Sequence, residues 1–396
     1  MTQGKASNVL KLDQGEKPWV MKPTTVLNMS TGPVEVSRHV LSAQLADLLT
    51  PHTEKFWAAH DETLALLGRV LRTQSRVLMM HGSIRTGIDL ALANFIRPGT
   101  KVLCIVNGFW GELIAQWSER YGAEVTRLNH ELLEPVDVQR VSEAVRASKF
   151  DLVTLVHVET NSGIVNPVEE VGKLLSATDT LYFVDTACSV GAMRVETDAW
   201  DIDIQTTGSH KCLSAVPGLA VVSVSEKAWA KLATIEPVGT YFEFRSWWRN
   251  TVERASVPPF TQPSTLVLAL RAALQEIDVF GIEAWWELHE RVADGFISEI
   301  RDIGFRLLLD DGPAANNRRL YSDTVIAVRY PEHIDDEKFR RVLLDDFGIF
   351  VIGNVGEFAG KSFRAGLMSA AQMQPVNVYG ALAAFRETAA SARCWK

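Results

Sequence analysis

The chain has 396 residues and a net charge of −8 at neutral pH, and no basic run could follow a phosphate backbone, so nucleic acid is not expected as a partner. Hydrophobic residues make up 47% and charged residues 22%, as in a globular enzyme, and no run approaches the roughly 20 apolar residues of a membrane span. The four cysteines, Cys104, Cys188, Cys212 and Cys394, show no C-x-x-C pair and no zinc-like spacing, which predicts no metal site and a reducing, cytoplasmic setting.

Residues 1–25 are polar and lysine-containing, read as an N-terminal extension without a signal peptide. Strands are predicted next at 101–106, 124–128, 152–158, 181–185, 202–206 and 219–224. Helices are predicted at 87–96, 110–121, 136–147 and 167–177. Continuous apolar strands joined by helices predict an α/β fold with a mostly parallel sheet covered on both faces, in a large unit spanning 26–263. The aromatic-rich stretch 240–260 lacks periodicity and is expected to be a loop near a cleft or a subunit interface. From 264 to 396 two long helices, 264–280 and 283–303, precede the strand-like TVIAVRY, a helix at 335–347, GIFVIG, SFRAGLM and a last helix at 374–390. That pattern predicts a smaller C-terminal α+β unit.

Two segments carry the chemistry. In LYFVDTACSVGAMR, Asp185 ends an apolar strand and is followed by small residues; parallel sheets bind ligands at such strand ends. A lone D-T-x-x-S could equally cap the next turn. In TTGSHKCLSAVPG, Lys211 stands isolated in an uncharged, apolar run one strand later. An acid and an isolated lysine facing one pocket suit pyridoxal 5'-phosphate. Its aldehyde condenses with a lysine amine as a Schiff base, and its ring nitrogen needs a carboxylate beside it.

VDTACSVGA followed by TTGSHKCLSAVPGLAVVSVSEKAW resembles the class V aminotransferases of the fold-type-I pyridoxal phosphate superfamily, in the alanine–glyoxylate, serine–glyoxylate and pyridoxamine–pyruvate group. The likeness runs from STGPVEV at 30–36 to the final helix. It implies that Lys211 is catalytic and that Asp185 sits at the ring nitrogen. It also implies that Ser83, Ile84 and Arg85, in MMHGSIRTGIDL, form a phosphate-binding turn at a helix start. Glycine and threonine are usual in the family at that turn, so Arg85 either adds a charge or is an exposed first-turn residue. Trp110 in NGFWGE would stack on the cofactor ring, with Ala187 at the opposite face. Thr160, in HVETNSGIVNP, would lie near the phenolic oxygen, while His157 and Glu159 orient their loop. His210 would reach the phosphate or act beside the Schiff base. Thr261 would reach the phosphate of a neighbouring subunit, making a homodimer with a shared active site, although Pro258 departs from the family's tyrosine. Arg364 in GKSFRAGLMS would bind the substrate carboxylate through paired hydrogen bonds.

The resemblance implies an aminotransferase passing an amino group from an amino acid to a small 2-keto acid such as pyruvate or glyoxylate. An alternative is a lyase on the same cofactor, acting on a bulky conjugate by β-elimination or by decarboxylation with oxidative deamination. Stacked aromatics at Phe242, Phe244, Trp247 and Trp248 would suit such a substrate, or would pack at a dimer interface.

Overall fold

Seven strands, β1 (Arg76–His81), β2 (Lys101–Val106), β3 (Glu124–Asn129), β4 (Leu152–Val156), β5 (Leu181–Asp185), β6 (Ile204–Gly208) and β7 (Leu219–Val224), form one sheet. Their order is β1-β7-β6-β5-β4-β2-β3, and every neighbouring pair is parallel except the two made by β7. The computed structural model describes residues 23, 25–46, 49–239, 241–255 and 260–396, so most of the expected N-terminal extension, and Pro258, fall outside the described residues.

The alternation of side chains along each strand sorts the core into two layers. Val77, Met79, Leu103, Ile105, Val153 and Leu155 face one layer with the helices Glu54–Leu71 and Ser264–Phe280. Leu78, Met80, Val102, Cys104, Leu152 and Val156 face the other, under the helices Ile84–Phe95 and Phe109–Arg120. Both faces are buried, which explains why β4, β5 and β7 read as unbroken apolar runs. The helix beginning at Ser264 packs into the core of this large sheet, across the boundary expected at 263.

A second sheet contains β8 (Arg306–Leu307), β9 (Val325–Arg329), β10 (Ile352–Gly353) and β11 (Ser362–Gly366), in the antiparallel order β8-β9-β11-β10. It packs against the helices Ile282–Asp302, Asp336–Phe347 and Pro375–Ala390. The middle helix is bounded as its sequence dictates. The Asp335 side chain accepts from the Lys338 N–H at its start, and Gly348 ends it at φ 66° in the left-handed region. Leu27–Asn28 pairs in parallel with Ile349–Phe350, tying the start of the described chain to this second unit.

Four segments differ from expectation. The strand expected at 202–206 begins at Ile204, because the Asp203 carboxylate is committed to a turn, accepting from the Tyr182 N–H and Ser225 Oγ. The first strand, Arg76–His81, and the helix Glu54–Leu71 were not anticipated. The stretch 240–260 is not wholly a loop: Phe244–Thr251 is a helix capped by Glu243. At eight residues it is too short to show a clear period, and its Phe244 and Trp247 are driven into the core under the Ile84–Phe95 helix.

Candidate active site

The carboxyl ends of β1, β4, β5 and β6 converge on a cavity of about 530 Å³. Its lining includes Ser83, Ile84, Arg85, Trp110, Asp185, Ala187, His210 and Lys211, so eight of the residues singled out in the sequence meet in one crevice. Asp185 ends β5 and is 3% exposed, with its Oδ1 accepting from the Ala187 N–H at 2.8 Å. Burial pushes its carboxyl up to about 6, opposed by the Ala187 N–H and by Lys211. Lys211 follows β6 by way of Ser209 and His210. Its Nζ donates to the Thr31 carbonyl and lies 3.8 Å from Cys188 Sγ. Thr31 lies in the STGPVEV segment and Cys188 in VDTACSVGA, but nothing local marks the Thr31 carbonyl as meeting Lys211, 180 positions away.

The helix Ile84–Phe95 opens onto this cavity three residues earlier than its periodicity suggested. Ser83 is at its N-cap without a side-chain cap hydrogen bond, which leaves first-turn N–H donors without a side-chain acceptor. Gly82 makes the approach possible: at φ +131°, a Cβ there would sit 2.1 Å from Thr86 Oγ1. Arg85 is exposed and otherwise engaged, its guanidinium 4.1 Å from the Trp117 ring centroid and its Nε 3.7 Å from Asp89. His210 packs beside Gly208 with a buried Nδ1 that has no partner among the described residues. Burial, then the nearby Lys211, pulls its pKa down to about 4.

Trp110 is half-buried and starts the helix Phe109–Arg120. Glu159, 1% exposed, accepts from the Trp110 and Gly111 N–H groups at 2.9 and 3.1 Å, so it caps the start of the Phe109–Arg120 helix. Burial raises its carboxyl to about 7 despite those donors, and Asp185 adds repulsion. His157 Nδ1 is 2.9 Å from Ser189 Oγ, and burial holds the ring near pKa 4, a neutral structural group.

Arg364, on β11, is 6% exposed. Its Nη1 lies 3.4 Å from Thr160 Oγ1 and from Asn161 Oδ1, and its Nη2 donates to the Gly353 carbonyl at 3.0 Å. Its Nε has no partner and, among the described residues, no carboxylate pairs with it. Burial depresses its pKa below the ordinary guanidinium value. A buried cation held only by neutral oxygens is a seat for an anion. Thr160 is thus beside Arg364, while Thr261 is exposed and away from the cavity lining. The aromatic cluster is not at the cavity either. Phe244 and Trp247 are core residues, with Trp247 stacked 4.0 Å from Phe260, and Trp248 packs on Trp229 and Arg76.

The aminotransferase class-V family profile matches residues 36–371. The chain belongs to the class-V aminotransferases. This class-V aminotransferase is 35% identical over 346 residues to an uncharacterized aminotransferase of Methanocaldococcus jannaschii, covering 86% of this chain and 87% of that one. It is 28% identical to pyridoxamine–pyruvate transaminase of Mesorhizobium japonicum, covering 91% and 90%. Its fold superposes with a TM-score of 0.87 on the crystal structure of ureidoglycine–glyoxylate aminotransferase from Bacillus subtilis, at 29% identity over 92% and 93% of the two chains. The class-V aminotransferase is pyridoxal-phosphate-dependent and has the expected fold-type-I architecture.

Proposed function

We propose that this aminotransferase moves the amino group of an amino acid to a small 2-oxo acid, pyruvate or glyoxylate, in the cytoplasm, as a homodimer. The observation that carries the substrate class is Arg364, a buried guanidinium without a carboxylate partner among the described residues. The acceptors are those in the names of the relatives. Nothing in the site favours elimination from a bulky conjugate, since Phe244 and Trp247 are core residues.

The residues suit pyridoxal phosphate. A helix N-terminus without a side-chain cap, the cradle at Gly82 and a His210 Nδ1 without a partner among the described residues suit a phosphate, while Asp185 and Lys211 face the same cavity. When bound, that cofactor supplies an aldehyde carbon and an electron-withdrawing ring. Lys211 would supply the amine that holds the aldehyde and would move the proton of the substrate Cα. Asp185 would sit beside the ring nitrogen, and a cation there would draw its carboxyl back down from about 6. Trp110 and Ala187 would cover the two ring faces and exclude water, and Thr160 would hydrogen-bond near the phenolic oxygen. Ser83, Ile84 and His210 would hold the phosphate. Arg364 grips the carboxylate and so orients the bond to be broken. Thr261, exposed on the single chain, would reach the partner's phosphate.

The test is a half-reaction. Cofactor-loaded protein is titrated with amino acids in the absence of any 2-oxo acid, with borohydride trapping and Lys211→Ala alongside. Loss of the yellow band with one equivalent of 2-oxo acid released is the expected result. Ammonia or carbon dioxide accumulating over many turnovers would overturn the proposal. The Lys211→Ala protein should trap no cofactor and lose about 10⁴-fold or more in turnover.

A further inference from the structure

The amine of Lys211 is met by a strap of chain at residues 28–35 rather than by a strand of the sheet. Besides the hydrogen bond from Nζ to the Thr31 carbonyl, the lysine stem fills the space over Gly32. A Cβ on Gly32 would come within 2.5 Å of Lys211 Cδ, 2.6 Å of Cε and 2.8 Å of Nζ. Thr31 is 2% exposed, so this contact is not a surface accident.

The strap is held from far along the chain. Gln372 is fully buried; its Nε2 donates to the Asn28 and Ser30 carbonyls at 3.0 and 2.8 Å, and its Oε1 accepts from the Met368 N–H at 2.9 Å. Ser369 Oγ donates to the Glu35 carbonyl at 2.6 Å, and the Gly366 N–H donates to the Met29 carbonyl at 2.7 Å. Gly366 must lack a side chain, because a Cβ there would stand 2.2 Å from the Ser30 oxygen. On the other side, the Val34 N–H donates to the His210 carbonyl at 3.2 Å, next to the lysine itself.

We infer that the Thr31 carbonyl is the resting seat of the Lys211 amine whenever that amine is free of cofactor, and that Gln372 is the positioning residue that keeps the seat in place. The inference rests on Lys211 being the cofactor-bearing amine. Transamination frees that amine in each half-reaction, and an unrestrained lysine samples many rotamers of a four-carbon stem. The Thr31 carbonyl accepts one N–H of the amine and so fixes the direction in which the stem points. Gln372 uses both of its N–H groups on carbonyls of the strap, so truncating it leaves two buried acceptors unmet and lets the strap shift.

The apoenzyme is treated with acetic anhydride, and acylation of Lys211 is quantified by mass spectrometry against the exposed Lys173. Gln372→Ala should raise the relative rate at Lys211 about tenfold, the equivalent of one lost hydrogen bond. In the loaded enzyme the same variant should enlarge the kinetic isotope effect from Cα-deuterated amino acid while KM stays within about twofold. A folded Gln372→Ala protein with unchanged acylation and an unchanged isotope effect overturns the inference, even if its melting temperature falls. Should that variant not fold, Ser369→Ala removes one hydrogen bond from the same strap and is read in the same way, with about a threefold rise expected and no rise refuting. Borohydride fixation at Lys211 in the unaltered protein separates the two failures. Without fixation the reading of the site fails; with fixation and unchanged acylation only the seat fails.

Discussion

The two units of the molecule bring opposite charges into the interior under different terms. The seven-stranded sheet delivers Asp185 from the end of a buried strand, with one backbone donor and a lysine nearby. The four-stranded sheet delivers Arg364 from the middle of a strand, among neutral oxygens only. Neither charge is matched by an opposite charge in direct contact among the described residues. Each therefore costs stability as it stands, and each has capacity left for a ligand of opposite sign. The difference lies in how the cost is met. A carboxyl can lower it by taking a proton near pH 6, whereas a guanidinium stays charged at any physiological pH.

Asp185→Asn breaks the first half of that contrast and has the largest expected effect. Turnover of the loaded enzyme should fall on the order of 10²–10³-fold, because the ring nitrogen loses its counter-charge. The apoenzyme should respond the other way. An acid whose folded pKa is raised from 3.8 to about 6 binds more protons folded than unfolded between those values. Its contribution to stability is therefore full below pH 3.8 and lost as pH climbs to about 6, amounting to about 3 kcal/mol. Denaturant titrations should find apo Asp185→Asn more stable than the parent at pH 7, and equal to it near pH 4. A variant no more stable than the parent at pH 7 would show that burial of the Asp185 carboxylate carries no such cost.

Arg364→Gln tests the other unit. The value of kcat/KM for amino acids should fall about 10- to 100-fold, chiefly through KM, as two charge-assisted hydrogen bonds are lost. Amine donors without a carboxylate should be unaffected. An equal loss for both kinds of donor would remove the carboxylate from the role assigned to Arg364. The smallest effect is expected at Arg85, which lines the cavity where Arg364 does not. Arg85→Gln should change cofactor affinity less than about threefold, since an exposed guanidinium stacked on Trp117 contributes about 0.5–1 kcal/mol and is directed there rather than at the cavity. A tenfold loss of affinity, measured by equilibrium titration of the apoenzyme, would make Arg85 a phosphate ligand.

The unequal legibility of these residues has a physical pattern. Strands buried on both faces announce themselves as apolar runs, so the ends bearing Asp185 and the Ser209–Lys211 turn could be placed to within two residues. The helix at Phe244–Thr251 could not, because two aromatic residues three apart are compatible with a loop, a strand edge or one buried helical face. The same ambiguity made Trp247 look available for a substrate, when it is 1% exposed. Arg85 illustrates a further limit: a charge at a helix start is visible in the sequence, but its stacking on Trp117 depends on the packing of two helices.

What the sequence determined by itself was chemical identity and local form: an isolated lysine, an aspartate at a strand end, a helix opening on a glycine–serine turn, and an arginine within an apolar strand. These follow from short-range periodicity and from the scarcity of charge in buried runs. What only the tertiary structure decided were the long-range contacts. They include the Thr31 carbonyl against Lys211, Gln372 under the strap, Glu159 capping the Trp110 helix, and the lack of a carboxylate for Arg364 among the described residues. Contacts between segments hundreds of residues apart leave no periodic trace in the chain, because they are set by how separate layers pack and not by the conformation of any one stretch.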